Sequence, residues 1–307
     1  MINFYYRSIQ DLNLTKITKF RKGCLIVCFE PEEDELKFLK EDLKLNEILI
    51  NDGLDPYEIP RIEKENELIY IFLRAPIFKL RDVFTTTLLV VISNNFFLIL
   101  SKSKIDFLER FILENKNNII TTQKTRLFIQ ILYEIYENFN SLILKINKEV
   151  RRIAFGTSRV EDEEIKRLIR YEIILNDFLD AFLATKVVFN SILKQEYLKL
   201  FNPDRELIED LVLKAQQLEE ISNANIRNIA NIREGYESIF TNTVNKVLKL
   251  LTFFTILLAI PTMITSFFGM NLNLPLANNP SAYLLVILVS VFSTVVLFII
   301  FKLKKWI

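Results

Sequence analysis

Charged residues occur along most of the chain and then stop. Residues 250–301 contain no Asp, Glu, Lys, Arg or His, and one polar, proline-bearing bend interrupts this apolar run. A bilayer core needs about 20 mostly apolar residues for each helical span. The pattern therefore predicts an integral membrane protein, with a first span over 246–268, a loop over 269–281, a second span over 282–301 and a tail over 302–307.

Short β-rich runs alternate with polar breaks in the first part of the chain. Asn94-Asn95 predicts a tight turn, and Pro31 with the acidic residues after it predicts a helix start, since acids suit the positive end of a helix dipole. The buried strands predicted from the apolar runs cover residues 24–29, 68–73, 85–92 and 96–100. Residues 1–120 are therefore predicted to form an α/β domain on the cytoplasmic side.

Longer helical patterns follow and predict a helical bundle and stalk over residues 121–245. Apolar residues recur at steps of three and four, first in a helix ending near Gly156 and then in one running to about Leu200. The pair Asn202-Pro203 predicts the N-cap and first position of a third helix, and no proline follows before Pro261. This helix would continue into the first span at about 65 residues, a length that needs partners along it.

Composition excludes several classes of function. The net charge is +1, and three lysines in the tail more than account for it, so the remainder has no basic excess with which to bind nucleic acid. Histidine is absent, which removes the usual imidazole metal site and general base, and leaves oxygen ligands and a hard ion such as Mg²⁺. Cys24 and Cys28 are predicted to be buried thiols in a reducing compartment. No glycine-rich phosphate loop or activated nucleophile is present, so an enzyme is not expected.

The positive charges predict the orientation in the membrane. Lys246 and Lys249 precede the first span, and further lysines follow the second, whereas the loop over 269–281 has none. Because basic residues favour the cytoplasmic side, both termini are predicted to be cytoplasmic and the loop external. The N-terminus shows no secretory signal, and the predicted location is the inner, or plasma, membrane.

One face of the first span is unusually small and polar. The residues that share this face at alternating steps of three and four are Asn245, Leu248, Thr252, Thr255, Ala259, Thr262 and Ser266. We call this set the polar stripe. Small and hydroxyl residues are typical of a dry contact between helices in lipid, but the same residues could line an aqueous pore. A kink at Pro261 fits either interpretation.

The end of the first span carries the most specific motif. Phe268-Gly269-Met270-Asn271, with Asn245, Pro261-Thr262 and the basic, Trp-bearing tail, resembles the signature of the CorA-type magnesium/cobalt transport family. The resemblance implies a homopentameric funnel in the bilayer, in which the first span lines a pore for passive influx of hydrated Mg²⁺. Mg²⁺ would be both the transported and the regulatory ion, with no organic cofactor. Here the proline lies one place off its usual position and loop residues 272–279 contain no acid.

The resemblance also implies roles for particular residues. Gly269, Met270 and Asn271 would form the selectivity filter, with Gly269 at a turn where a Cβ would clash. Thr262 and Asn245 would give deeper polar rings, and the inner mouth would carry a basic collar formed by Lys302, Lys304 and Lys305. An apolar constriction would gate the pore by dewetting, formed by Leu248 and Leu251, with Thr255 and Ala259 beside them.

Regulation in this family uses acidic residues between neighbouring subunits, which bind cytosolic Mg²⁺ and close the pore. Counting back along the helix from Asn245 places Asp210 at one such position, and Asp82 and Glu67 are candidates for its partner. A solvated helix face is the structural alternative for Asp210. Two other functions stay open: transport of another divalent cation, Co²⁺, Ni²⁺ or Zn²⁺, and a non-conducting, membrane-anchored coiled-coil scaffold.

Overall fold

The computed structural model describes residues 2–79, 82–114, 118–155, 162–270 and 281–304. By its internal contacts the chain divides into two compact units, residues 1–231 and 232–307. Asn271 and Lys305, both predicted to be functional, lie outside the described residues, as does most of the predicted loop.

A mixed sheet forms the centre of the first unit. Its described strands are β1 (Ile2–Tyr6), β2 (Thr15–Ile17), β3 (Cys24–Phe29), β4 (Arg61–Glu65), β5 (Leu68–Lys79), β6 (Asp82–Ile92) and β7 (Phe96–Ser101). They are arranged in the order β2-β1-β3-β7-β6-β5-β4, and only the β3–β7 pair is parallel. The four predicted strands are confirmed, as is the turn at Asn94-Asn95 between β6 and β7. β5 and β6 are longer than predicted because they pair from Ile69 with Ile92 out to Lys79 with Asp82.

Short helices cover one face of this sheet. They are α1 (Glu33–Glu41) and α2 (Glu47–Leu54), which share a buried apolar core with β3, β7 and β6. The predicted acidic start of α1 is confirmed, and the Glu32 N–H donates to Glu35 Oε2 at 3.0 Å. Cys24 and Cys28 are buried free thiols, as predicted, and burial raises the pKa of Cys28 to about 12.

Three further helices of the first unit are rich in aromatic residues, and the last two of them are long. They are α3 (Asp106–Glu114), α4 (Lys124–Ala154) and α5 (Asp162–Leu193). Phe139 of α4 lies 4.8 Å from Phe178 and 5.0 Å from Phe182 of α5, measured between ring centroids, and all three rings are buried. The end predicted for α5, near Leu200, is wrong: Gln195 adopts a left-handed φ of 56° and the Glu196 N–H returns to the Ser191 carbonyl, which caps the helix.

Two helices complete the chain, α6 (Asn202–Phe268) and α7 (Ala282–Leu303). The first part of α6 is packed in the first unit, where Ile208, Leu211 and Ile229 are buried. The second part of α6 and the whole of α7 belong to the second unit. Their apolar windows have mean hydropathies of 2.1 and 3.1, and only 6% of each window is buried. Such exposed apolar helices are suited to lipid rather than to the core of a soluble protein.

Candidate functional site

The second part of α6 packs on α7 through one apolar face. Phe253 is 5% exposed, and its ring centroid lies 5.4 Å from that of Phe301 and 6.1 Å from that of Phe298. Half-buried residues continue this face toward the C-terminal end of α6: Ile256, Leu257, Ile260, Pro261 and Ile264. These positions recur at the three- and four-residue spacing of one helix face. On the α6 side, the contact between the two apolar helices is therefore made by bulky side chains.

The polar stripe lies on nearly the opposite side of α6. Every residue of the stripe is exposed in the single chain, and so is Leu251 beside it. At about 100° per residue, the centre of the stripe is about 150° around the helix from the side that faces α7. The stripe therefore does not form the contact between the two apolar helices of one chain, and its small polar surface is left open.

The hydroxyl groups of the stripe are oriented by the helix itself. Thr252 Oγ1 donates to the Leu248 carbonyl at 2.8 Å, and Thr255 Oγ1 donates to the Leu251 carbonyl at 2.9 Å. Thr262 makes the same bond to the carbonyl four residues before it, at 2.8 Å. Because each hydroxyl proton is used in this way, the oxygen can present only lone pairs to its surroundings. These three threonines therefore present acceptor oxygens along the stripe, suited to the outward-pointing hydrogens of a hydrated cation.

The C-terminal end of α6 is built around Thr265, a residue that the sequence analysis did not select. Its hydroxyl donates to the carbonyls of Pro261 at 3.0 Å and Thr262 at 3.1 Å. Its own carbonyl accepts the Gly269 N–H at 3.0 Å, and that N–H also lies 3.2 Å from the Ser266 carbonyl. A hydroxyl residue four places after a proline was the sequence signal that could have identified it. The helix ends directly at the Gly-Met-Asn triplet.

Gly269 does not have the role within the chain that was expected of it. It does not adopt a left-handed φ, and a Cβ built on it would lie 3.4 Å from the Thr265 carbonyl oxygen and 3.5 Å from that of Ser266. These are ordinary contact distances. Among the residues that the structure describes, the expected clash with an added Cβ is therefore not found, and none of them requires glycine at this position. Met270, which follows, is half exposed.

Basic residues gather at the opposite end of the two apolar helices from the triplet. The contacts of Phe253 with the C-terminal end of α7 bring Lys246 and Lys249 to the same end as Lys302 and Lys304, because the two helices run antiparallel. All four lysines are exposed. The arrangement separates a positively charged end from an uncharged end that carries Gly269.

The three acidic residues predicted for regulation have different surroundings. Asp82 Oδ1 lies 3.3 Å from Arg170 Nη1, and Glu67 accepts a hydrogen bond from Asn94 Nδ2 at 3.1 Å. Asp210 is exposed at the rim of an apolar groove of about 390 Å³, whose wall includes Phe111, Ile129, Tyr133, Leu207 and Leu211. In the part of the chain that the structure describes, no three acidic or cysteine side chains are grouped to hold a metal ion. A joint role for these carboxylates stays a prediction about the space between chains.

A polar cavity with a volume of about 220 Å³ also lies in the first unit. Arg74 lines it, donating to the carbonyls of Pro56 and, at 3.2 Å, Thr85, and burial lowers the pKa of its guanidinium. Asp177 also lines the cavity, and burial raises the pKa of its carboxyl. Because the guanidinium of Arg74 lines the same cavity, it is poorly suited to a cation.

The chain is similar to known proteins over most of its length. The profile of the family described as CorA-like Mg²⁺ transporter protein matches residues 23–305. The cobalt/magnesium transport protein CorA of Methanocaldococcus jannaschii is 29% identical over 294 residues, which are 92% of this chain and 90% of that protein.

Solved structures extend the likeness to the fold. The complete CorA magnesium transporter of M. jannaschii matches with a TM-score of 0.86 at 26% identity, over 100% of this chain and 99% of that chain. The ZntB cytoplasmic domain of Vibrio parahaemolyticus matches with a TM-score of 0.62 at 9% identity, over 78% and 98% of the two chains. The second likeness concerns the fold alone.

Proposed function

The chain belongs to the CorA-like Mg²⁺ transporter family, and from that membership we propose that it forms a channel for passive influx of hydrated Mg²⁺ across the cell membrane. The family consists of membrane transporters and not enzymes, and Mg²⁺ is the ion they carry. The chain has the CorA fold, with an α/β N-terminal domain, a long helix and two apolar C-terminal helices.

The observation that carries the proposal is the open polar stripe. Two helices cannot enclose a water-filled path, so conduction needs several copies around one axis. Since α7 covers the far side of α6 through Phe253 and its neighbours, the stripe is free to face such an axis. The homopentamer implied by the family resemblance would place five stripes around the path. Hydroxyl oxygens that can only accept are well matched to water bound to a cation.

The filter would act at the outer mouth without removing water from the ion. Mg²⁺ sheds its hydration shell reluctantly, so neutral oxygen acceptors from Gly269, Met270 and Asn271 can bind its water molecules instead. The charge-free end of the two helices, opposite the exposed lysines, would be the external one. Both termini would then be cytoplasmic, with the basic collar of Lys302, Lys304 and Lys305 at the inner mouth.

Gating would occur on the cytoplasmic side of the stripe. Leu248 and Leu251 are 53% and 61% exposed in the single chain, so five copies could bring them together as an apolar constriction. Cytosolic Mg²⁺ would hold this closed state by binding between Asp210 of one copy and Asp82 or Glu67 of the next. A closed state that binds Mg²⁺ more tightly is favoured as the cytosolic concentration rises.

Uptake into proteoliposomes tests the channel directly. Purified protein is reconstituted with an internal Mg²⁺ indicator, and wild type is compared with Asn271→Ala. We expect rapid influx for wild type and influx near that of empty liposomes for Asn271→Ala. Ser293→Ala, a hydroxyl change on the side of α7 that faces α6, is the matched control and should conduct normally. Equal influx in wild type and Asn271→Ala would contradict the filter assignment.

Transport of another divalent cation is the second candidate, because the M. jannaschii relative is described as a cobalt/magnesium transport protein. Adding Co²⁺, Ni²⁺ or Zn²⁺ outside the same liposomes measures how strongly each ion competes with Mg²⁺. Preferential uptake of one of these ions would replace Mg²⁺ as the assigned substrate. Absence of flux for every ion would favour a membrane-anchored scaffold.

A further inference from the structure

The side chain of Thr265 bonds to the first turn of the segment of α6 between Pro261 and Gly269. Proline has no N–H, so the carbonyl of Leu257 lacks the helical hydrogen bond that residue 261 would otherwise supply. The helix is therefore weakened immediately before its last two turns. Thr265 lies in the middle of the segment that follows, where its hydroxyl bonds to the carbonyls at the start of the segment and its backbone carbonyl accepts the Gly269 N–H.

Thr265 makes more hydrogen bonds to the backbone than the threonines of the stripe. The hydroxyls of Thr252, Thr255 and Thr262 each donate to one carbonyl, that of the residue four places before. The Thr265 hydroxyl is shared between two carbonyls, those of Pro261 at 3.0 Å and Thr262 at 3.1 Å. It thus binds both residues of the Pro-Thr pair while its own carbonyl receives the Gly269 N–H at 3.0 Å.

Thr265 is not placed to line the path itself. At about 100° per residue it lies about 100° around the helix from the centre of the polar stripe, and it is equally far from the face that packs on α7. Its hydroxyl proton is already committed to the backbone carbonyls. Any influence on the ion must therefore pass through the backbone of the triplet.

We propose that Thr265 is a positioning residue for the filter: its hydroxyl braces the turn after Pro261 and so sets where Gly269 and the residues after it lie. This inference rests on the proposed channel function. It differs from the proposed filter residues because the Thr265 hydroxyl bonds to backbone carbonyls of the preceding turn and is not assigned a contact with the ion. The methyl group of Thr265 has no part in the bracing, and the hydroxyl is the group that matters.

Three substitutions separate the hydroxyl from the shape of the side chain. Thr265→Val keeps the shape and removes the donor, whereas Thr265→Ser keeps the donor and removes the methyl group. Thr243→Val is the matched control, since Thr243 Oγ1 donates to the Ile239 carbonyl at 2.9 Å on the same helix, away from any proline. All three are made in the full chain and reconstituted in nanodiscs and liposomes.

We expect Thr265→Val to lower Mg²⁺ influx about fivefold, the effect of losing one hydrogen bond of ordinary net strength at the filter. The ratio of Mg²⁺ to Co²⁺ uptake should also change, because a displaced filter discriminates differently. Thr265→Ser and Thr243→Val should keep wild-type influx and the wild-type ratio. Equal defects in Thr265→Val and Thr265→Ser would overturn the proposal, as would wild-type behaviour of Thr265→Val.

Amide hydrogen exchange provides a readout that needs no conduction. In nanodiscs, the peptide containing Gly269 should exchange faster in Thr265→Val than in wild type, Thr265→Ser or Thr243→Val. Unchanged exchange in Thr265→Val would overturn the bracing role. If wild type carried no ion at all, the channel proposal would fail, while faster exchange in Thr265→Val alone would still support the bracing.

Discussion

The glycines of the two units differ in backbone conformation and in the space available for an added Cβ. In the first unit, a Cβ added to Gly53 would lie 2.6 Å from Leu89 Cδ2, and Gly23 has a φ of +85°. In the second unit, a Cβ on Gly235 would meet nothing within 4 Å, and one on Gly269 would meet only ordinary contacts. Contacts and backbone conformation explain the first pair, whereas the described residues around the second pair leave room for a side chain.

Apolar side chains show the same contrast. The rings of Phe139, Phe178 and Phe182 are almost completely buried in the first unit. In the second unit, Phe292 is 70% exposed and Leu288 is 63% exposed. Exposure of such a surface to water would be costly for a soluble protein, whereas contact of the same surface with lipid carries no such cost. Stability in the first unit comes from packing within the chain, whereas the exposed apolar surface of the second unit is suited to a bilayer.

The largest expected effect belongs to Gly269→Ala. The added methyl group fits within one chain, so assembly and stability should not change. In the proposed channel, several such methyl groups would crowd the outer mouth, and Mg²⁺ influx should fall to the level of empty liposomes. Indicator fluorescence measures influx, and mass photometry measures assembly. Wild-type influx would show that this glycine is not close to the path.

Gly53→Ala should act on stability instead. The new Cβ would lie 2.6 Å from Leu89 Cδ2 and 2.8 Å from Leu89 Cβ, on a buried strand that cannot move freely. Overpacking of this kind costs about 1–3 kcal/mol. Pulse proteolysis of the full chain in nanodiscs at increasing urea concentration measures the free energy of unfolding of the first unit. An unchanged midpoint would mean that α2 shifts away from β6 without cost.

The smallest effect is expected for Gly235→Ala, the same chemical change in open space. Alanine favours a helix interior over glycine by up to about 1 kcal/mol, and no contact opposes it here. Amide exchange of residues 231–240 should therefore become slower, with influx and assembly unchanged. Loss of assembly would instead reveal that a neighbouring copy approaches α6 closely at this position.

Sequence patterns predicted the parts of the fold that depend on local composition. The fully buried strand β3 and the acidic start of α1 could be found because a buried strand is continuously apolar and a helix start favours acids. The end of α5 was missed because Gln195, a residue with no strong preference for the left-handed region, takes the place where glycine is usual. Thr265 was missed because its bonds are to backbone carbonyls, which a side-chain pattern does not display.

The sequence by itself determined that two apolar helices end the chain and that a small, hydroxyl-bearing stripe runs along the first. Both follow from composition and helical period, which need no knowledge of neighbours. Only the tertiary structure decided which side of α6 meets α7, because rotation of a helix about its axis depends on the side chains that pack against it. Phe253 and the residues in line with it make that contact on the α6 side. The polar stripe stays open because bulky apolar side chains bury more apolar surface than hydroxyl-bearing side chains do.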